Sequence, residues 1–356
     1  MMNEQTPAGK NSGPADFVFS PDHEPRNSPG VRPSLSQSGD KKLLPVGIFD
    51  SGVGGLTVLA ELLKRLPYEY YYYLGDTARL PYGTKSNGTI VRYSLQVAEK
   101  LVERNIKLLV VACNTATAAA LPHLRKAYPH LPVLGVVEPG ARAACKISRN
   151  GSIVVLGTES TIRGQAYTKA IHALRPDARV TGIACTLFVS LAEEGWITGH
   201  VAEAITARYL APILEHRTAG LQDAKENVPG GRARQAAPPD CLVLGCTHFP
   251  PLVPVIQSVV GDTVTLVDSA ATTAEAVEER LRELNLLHPD QAPDGAKGAD
   301  RATEDCPVDG PHDRDDSGIL SRLHLLTTDA PERFARVGSL FLGMPLTSAS
   351  LELVAL

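Results

Sequence analysis

The chain has 356 residues, 43% of them hydrophobic, and a formal net charge of −4. That is enough apolar content for one large domain or two medium ones with real cores, and the mild acidity speaks against nucleic acid as a partner, because its binders carry a basic face. No segment is apolar for long enough to span a bilayer or to form the core of a signal peptide, and six scattered cysteines (Cys113, Cys145, Cys185, Cys241, Cys246, Cys306) fit a reduced, cytoplasmic protein rather than a disulfide-stapled one.

In chain order, residues 1–42 are rich in Pro, Gly, Ser and Asn and read as a disordered extension with too little apolar surface to offset its ordering entropy. From Leu43 short apolar runs alternate with amphipathic stretches: PVGIFD then LTVLAELLKRL, YYYYL then TIVRYSLQVAEKLVER, KLLVVAC then TATAAALPHLRKAY. The series resumes at SIVVLG, continues through ARVTGIAC and CLVLGC, and reaches VTLVD before the helical AEAVEERLREL. Strands apolar on both faces, alternating with helices, predict an α/β fold with parallel sheets. We expect two pseudo-symmetric lobes, each a mostly parallel sheet flanked by helices, with the active site in the cleft between them. Residues 43–138 plus 269–356 form the first lobe in this reading, and residues 139–268 the second. Two stretches break the pattern, 218–240 and the acidic 288–317, which carries nine Asp/Glu against three Lys/Arg; both read as surface insertions dispensable for chemistry.

The halves echo each other. GIFDSG and VVLGTES both end a strand in a small polar turn, and VVACNTATAAA and LVLGCTHFPPL each put a cysteine where an apolar run stops and a helical pattern follows. In open parallel sheets ligands bind beyond the carboxyl ends of the strands, so both thiols are expected to face one cleft. A thiol at a helix start feels the helix dipole and free N–H groups, which favour thiolate. Asn114-Thr115 and Thr247-His248 can hold a carboxylate there, and His248 can tune the neighbouring thiol. DSGVGGL is no dinucleotide fingerprint, because Thr57 occupies the third glycine's place; its glycines leave room for a small ligand or close packing, with Asp50 and Ser51 facing the site. A zinc site is not expected: Cys241 and Cys246 are an odd number of residues apart on one strand and point to opposite faces. Cys145, Cys185, Cys241 and Cys306 are read as structural. From the residues alone, a one-cysteine hydrolase or lyase and a binding module stay open beside a two-thiol acid/base enzyme.

FDSGVGGLTVL, YLGDTARLPYGTKS, ACNTATA, GVVEPGARAA and LGCTHFP, in this order from about Val46 to Val267, resemble the signature segments of the cofactor-independent aspartate/glutamate racemase family, with a weaker match out to Gly343. GCTH and CNTAT are similar to the glutamate branch. The resemblance implies Cys113 and Cys246 as the two catalytic acid/base residues, the first serving D-glutamate and the second L-glutamate, with Asp50 and His248 beside them. It further implies that Asp50, Ser51, Tyr82, Gly83, Asn114, Thr115, Thr247 and His248 bind or orient glutamate, and that Glu193 assists the second thiol. Thr186 departs from a proline common in relatives, and Glu194 is a second candidate for that assisting role. No cofactor or metal is implied, the partner is glutamate rather than nucleic acid or a membrane, and the product serves peptidoglycan synthesis; whether the chain is a homodimer stays open.

Overall fold

A computed structural model of the chain describes residues 40–223, 237–291 and 321–356. The extension read at residues 1–39, residues 224–236 of the first insertion and residues 292–317 of the acidic one, with Cys306, lie outside the described residues. Three boundaries move. Residues 40–42 of the stretch read as an extension are folded: Asp40 caps a 3-10 turn, Lys41–Leu43, by accepting from the Lys42 N–H. Residues 218–223 of the stretch read as an insertion continue a helix, Gly199–Asp223. His288, the first residue of the acidic stretch, is buried and donates its N–H to Glu69 Oε1 at 2.8 Å, so it belongs to the folded body.

The first sheet holds β1 (Val46–Asp50), β2 (Tyr71–Gly75), β3 (Leu108–Val111), β4 (Val133–Gly135), β9 (Leu323–Thr327) and β10 (Leu351–Leu353), in the order β10-β9-β2-β1-β3-β4. The second holds β5 (Ser152–Gly157), β6 (Arg179–Ala184), β7 (Cys241–Gly245) and β8 (Thr265–Asp268), in the order β6-β5-β7-β8. Every pairing is parallel. The run β2-β1-β3-β4 and the whole second sheet therefore share one strand order, and β3 and β7, the strands that lead to the two cysteines, occupy the same place in it.

The apolar runs explain the layering. On β3, Leu108 and Val110 pack into one core while Leu109 and Val111 pack into another, so both faces are covered by helices. In the second sheet Val154, Leu156, Leu242 and Leu244 face one core, and Ile153, Val155, Cys241 and Val243 the other. Each fully buried Leu or Val contributes roughly 1.5–3 kcal/mol of transfer free energy. β6 departs from the expected pattern because it is an edge strand, and most of its residues are exposed. The tyrosine run forms β2, with the Tyr71 hydroxyl on the carbonyls of Leu62 and Leu66.

The helices that matter below are α1 (Leu56–Arg65), α2 (Asn87–Val102), α3 (Asn114–Ala127), α4 (Val137–Ile147), α5 (Glu159–Gly164), α6 (Ala166–Leu174), α7 (Thr186–Glu193), α8 (Gly199–Asp223), α9 (Val253–Val260), α10 (Ser269–Glu283) and α11 (Pro331–Leu342). α4 joins the second-sheet core through Val137, Ala141 and Ala144, whereas α10 joins the first-sheet core through Ala270, Ala274, Val277 and Leu281. The chain thus passes between the sheets twice, after β4 and after β8.

Candidate active site

The site is built from the turns that follow β1, β3, β5 and β7, at the carboxyl ends of both sheets. β1 ends in Asp50, which is wholly buried and bonds the Gly52 N–H through Oδ2 at 3.0 Å, curling the DSG turn back on itself. β3 ends one residue before the Ala112-Cys113 step. Cys113 caps α3, its Sγ accepting from the Ala116 N–H at 3.4 Å and lying 3.6 Å from Ser51 Oγ. Both sequence-expected neighbours of this thiol, Asp50 and Ser51, are therefore beside it.

Its ionisation runs against expectation. Burial pushes the Cys113 thiol up to about 12, the Asp50 charge adds to the rise, and the α3 N–H and Ser51 offset only part of it. The helix start alone would favour thiolate, but the dry surroundings and a buried carboxylate win. Asp50 is itself raised by burial, with His248 acting in the opposite direction.

Cys246 follows β7 but does not start a helix, as the repeated pattern had led us to expect. Pro250 and Pro251 lack N–H donors, the turn continues as a 3-10 segment, Pro250–Leu252, and α9 begins only at Val253. A side chain supplies the polar partner instead: His248 Nδ1 lies 3.9 Å from Cys246 Sγ. Nε2 of the same ring meets Glu193 Oε1 at 3.1 Å, and the ring packs edge-on against Phe341 at 5.2 Å. Burial alone would lower His248, but its bonds to Cys246 and Glu193, with the charges of Cys246 and Asp50, hold it up at about 10. Burial tends to raise Glu193, yet His248 and Arg333 keep it below the usual carboxylate range. Glu194 is exposed and lies at the end of α7. Of the two acidic candidates, Glu193 makes the contact.

Several contacts bridge the sheets. Thr57, in the first turn of α1, donates to the Thr247 carbonyl at 3.1 Å. Thr115 Oγ1 lies 3.0 Å from Thr158 Oγ1 and 3.3 Å from Thr161 Oγ1, and the Tyr167 hydroxyl donates to Asn114 Oδ1 at 2.7 Å. Gly83 backs onto Thr158, where a Cβ would come within 3.0 Å of that side chain. Cys113 and Cys246 are each 5% exposed, and the charge of the second acts on the first. All the expected site residues fall in this one region. The Tyr82 hydroxyl, however, is taken by Asp76 Oδ2 at 2.5 Å, which leaves that residue's backbone for any ligand.

Thr158, Thr161, Tyr167 and Arg333 were not singled out in the sequence. The VVLGTES echo of GIFDSG pointed at Thr158, because the two turns are equivalent; the other three carry no local signal. At this site two buried polar atoms, Asp50 Oδ1 and Asn114 Nδ2, have no hydrogen-bond partner among the described residues. An acceptor beside one thiol and a donor at the start of α3 match the ammonium and carboxylate of an amino acid. Among the described residues no group of His, Cys, Asp and Glu has the arrangement to hold a metal ion, and Cys241 and Cys246 belong to opposite faces of their sheet.

Fold and relatives together define the class: this is an amino-acid racemase, an isomerase. The chain belongs to the Asp/Glu/hydantoin racemase family, whose model matches residues 56–277. It is 46% identical over 298 residues to a glutamate racemase of Geobacter metallireducens, which covers 84% of this chain and 92% of that one. A glutamate racemase of Enterococcus faecalis is 43% identical over 70% of this chain and 83% of its own. Among solved structures, a glutamate racemase isoform of Bacillus anthracis superposes with a TM-score of 0.69 at 31% identity, covering 88% of this chain and 98% of that one. A Francisella tularensis glutamate racemase in complex with D-glutamate gives 0.67 at 29% identity over the same shares.

Proposed function

We propose that the chain interconverts L- and D-glutamate without a cofactor, with Cys113 and Cys246 as opposed acid and base, and that it supplies D-glutamate for peptidoglycan synthesis in the cytoplasm. The observation that carries this reading is the pair of thiols at equivalent strand ends with Asp50 Oδ1 and Asn114 Nδ2 buried and unpartnered next to one of them. The relatives' shared name supports glutamate as substrate, and the Francisella complex shows that one of them holds D-glutamate.

Inverting an α-carbon requires taking a proton from one face and returning one to the other, so two groups must flank it and exchange roles with direction. One base would have to travel around the substrate. Burial is the main reason Cys113 is raised; the substrate ammonium sits against Asp50 and neutralises the charge that adds to that rise, which favours deprotonation of the thiol when substrate is bound. Asn114, Thr115 and Thr247 hold the carboxylate, where negative charge grows as the proton leaves, and burial excludes water from the carbanion-like state. At the other face the His248 imidazolium stabilises the Cys246 thiolate, and Glu193 fixes the ring. The family resemblance assigns Cys113 to D-glutamate and Cys246 to L-glutamate.

The test is chiral chromatography of L-glutamate incubated with purified protein and no added cofactor. Appearance of D-glutamate up to an equal mixture is expected. Racemisation of L-aspartate but not of L-glutamate would overturn the substrate assignment, and no racemisation of either would overturn the reading.

A further inference from the structure

Arg333 lies on α11, in the first lobe, yet its guanidinium reaches across to the second lobe and donates to Glu193 Oε2 at 2.7 Å. The other oxygen of the same carboxylate is bonded to His248 at 3.1 Å, and His248 Nδ1 faces Cys246 Sγ at 3.9 Å. Four side chains thus form one line, Arg333, Glu193, His248, Cys246, and Glu193 divides its two oxygens between the first and the third. Arg333 itself touches neither thiol.

The start of α11 is held firmly enough for this task. Thr328 Oγ1 donates to Asp76 Oδ1 at 3.0 Å, the Asp329 N–H donates to Thr77 Oγ1 at 2.9 Å, and Ala330 takes φ of 48° to turn into the helix. Phe334, one residue on, is buried against Gly75, where a Cβ would come within 2.7 Å of its ring. The guanidinium therefore springs from a fixed base. Glu193 is less supported: it ends α7, an eight-residue helix, and the contacts of its carboxylate are His248 and Arg333. Without Arg333, Oε2 loses its charged donor and the carboxylate is free to rotate away from the imidazole.

We propose that Arg333 is a positioning residue for the Cys246 half of the reaction: it locks the Glu193 carboxylate so that His248 stays aimed at Cys246, and it leaves the Cys113 half untouched. This rests on the two-thiol reading above. The bland alternative is a solvent-facing ion pair, since the Arg333 side chain is 54% exposed, and such a pair contributes little to anything. A third role, a clasp that closes the lobes, would serve both thiols equally. The three make different predictions.

The experiment uses the two enantiomers of a glutamate analogue with a leaving group on the β-carbon. Elimination needs one deprotonation and is irreversible, so each thiol is read separately, free of the equilibrium constraint that ties the two directions of racemisation together. Cys246→Ser first identifies the enantiomer that depends on Cys246. Arg333→Ala is then expected to slow elimination from that enantiomer by about tenfold, the size of one charge-assisted hydrogen bond discounted for exposure, while the other is unchanged. Arg333→Lys should recover most of the loss, and the melting temperature should not move with the enantiomer preference. Equal losses for both enantiomers, or no loss for either, would overturn the proposal while leaving the two-thiol reading intact. If Cys246→Ser itself shows no enantiomer preference, the two-thiol reading fails and takes this assignment with it.

Discussion

A single methyl group at Gly54 should disable the site without unfolding the protein. A Cβ built there would lie 2.5 Å from Cε1 and Nδ1 of His248 and 2.5 Å from Thr247 Oγ1. Ordinary contact between heavy atoms begins near ~3.5 Å, so the ring and the hydroxyl would have to withdraw by about 1 Å. Neither has slack: His248 is held by Glu193 at 3.1 Å and by the Phe341 ring at 5.2 Å, and the Thr247 carbonyl is bonded by Thr57 at 3.1 Å. Overpacking of this kind costs about 1–3 kcal/mol, which a chain with four apolar cores survives. A catalytic group misplaced by about 1 Å loses about 100-fold in rate. Gly54→Ala should therefore lower kcat for glutamate racemisation, followed by circular dichroism, by roughly two orders of magnitude while a cooperative melting transition remains. Gly88→Ala, where a Cβ meets nothing within 4 Å, serves as the control. Activity of Gly54→Ala within a few-fold of the parent would refute the claim that His248 must stay where it is.

Three further outcomes follow from the same geometry. Cys113→Ser and Cys246→Ser should each nearly abolish racemisation, because a serine hydroxyl is too weak an acid to replace a thiol as base at neutral pH; substantial racemisation by either, measured chirally, would exclude two thiols. Glu193→Gln removes an anion that holds His248 up at about 10. His248 should then lose its proton at lower pH, and the alkaline limb of the kcat/KM profile should move down with it; an upward or absent shift would contradict the assigned contact. Lys107, buried with Glu69 and donating also to the carbonyls of Lys42 at 2.6 Å and Leu286 at 2.9 Å, ties the turn before β1 and the segment after α10 to the start of β3. Lys107→Ala leaves Glu69 as an unpaired buried charge and should cost about 3–5 kcal/mol in denaturant unfolding, and a loss below about 1 kcal/mol would show the pair to be dispensable.

Much of this architecture is legible in the residues because the parallel sheets are buried on both faces. IVVLG and LLVV have no other use for such a density of branched apolar side chains. β4 and β10 escape notice since each has three residues, too few to show a period, and β9 escapes because it follows a long polar stretch. The edge position of β6 cannot be read from RVTGIA, because exposure is a property of its missing neighbour. Within the site, Cys113, Asp50 and Ser51 sit on turns whose sequence declares them. The hydrogen bonds of Arg333 to Glu193 and of Tyr167 to Asn114 span 140 and 53 residues, so their donors looked like ordinary helix residues. The ionisation of Cys113 was misjudged for a related reason: the helix start is local and visible, whereas the dry packing and the Asp50 charge come from the assembled fold.

Deuterium labelling during the first few per cent of turnover tests the central claim, two opposed thiols acting on one carbon, most directly. L-glutamate is incubated with the protein in D2O, and the α-position is read by mass spectrometry in the separated enantiomers. With Cys246 taking the proton and Cys113 returning one to the far face, the D-glutamate formed should carry deuterium while the remaining L-glutamate stays unlabelled. The converse run from D-glutamate should label L-glutamate alone. Deuterium entering the unreacted enantiomer as fast as the product, or product that retains the original proton, would mean that one base serves both faces and would contradict the account.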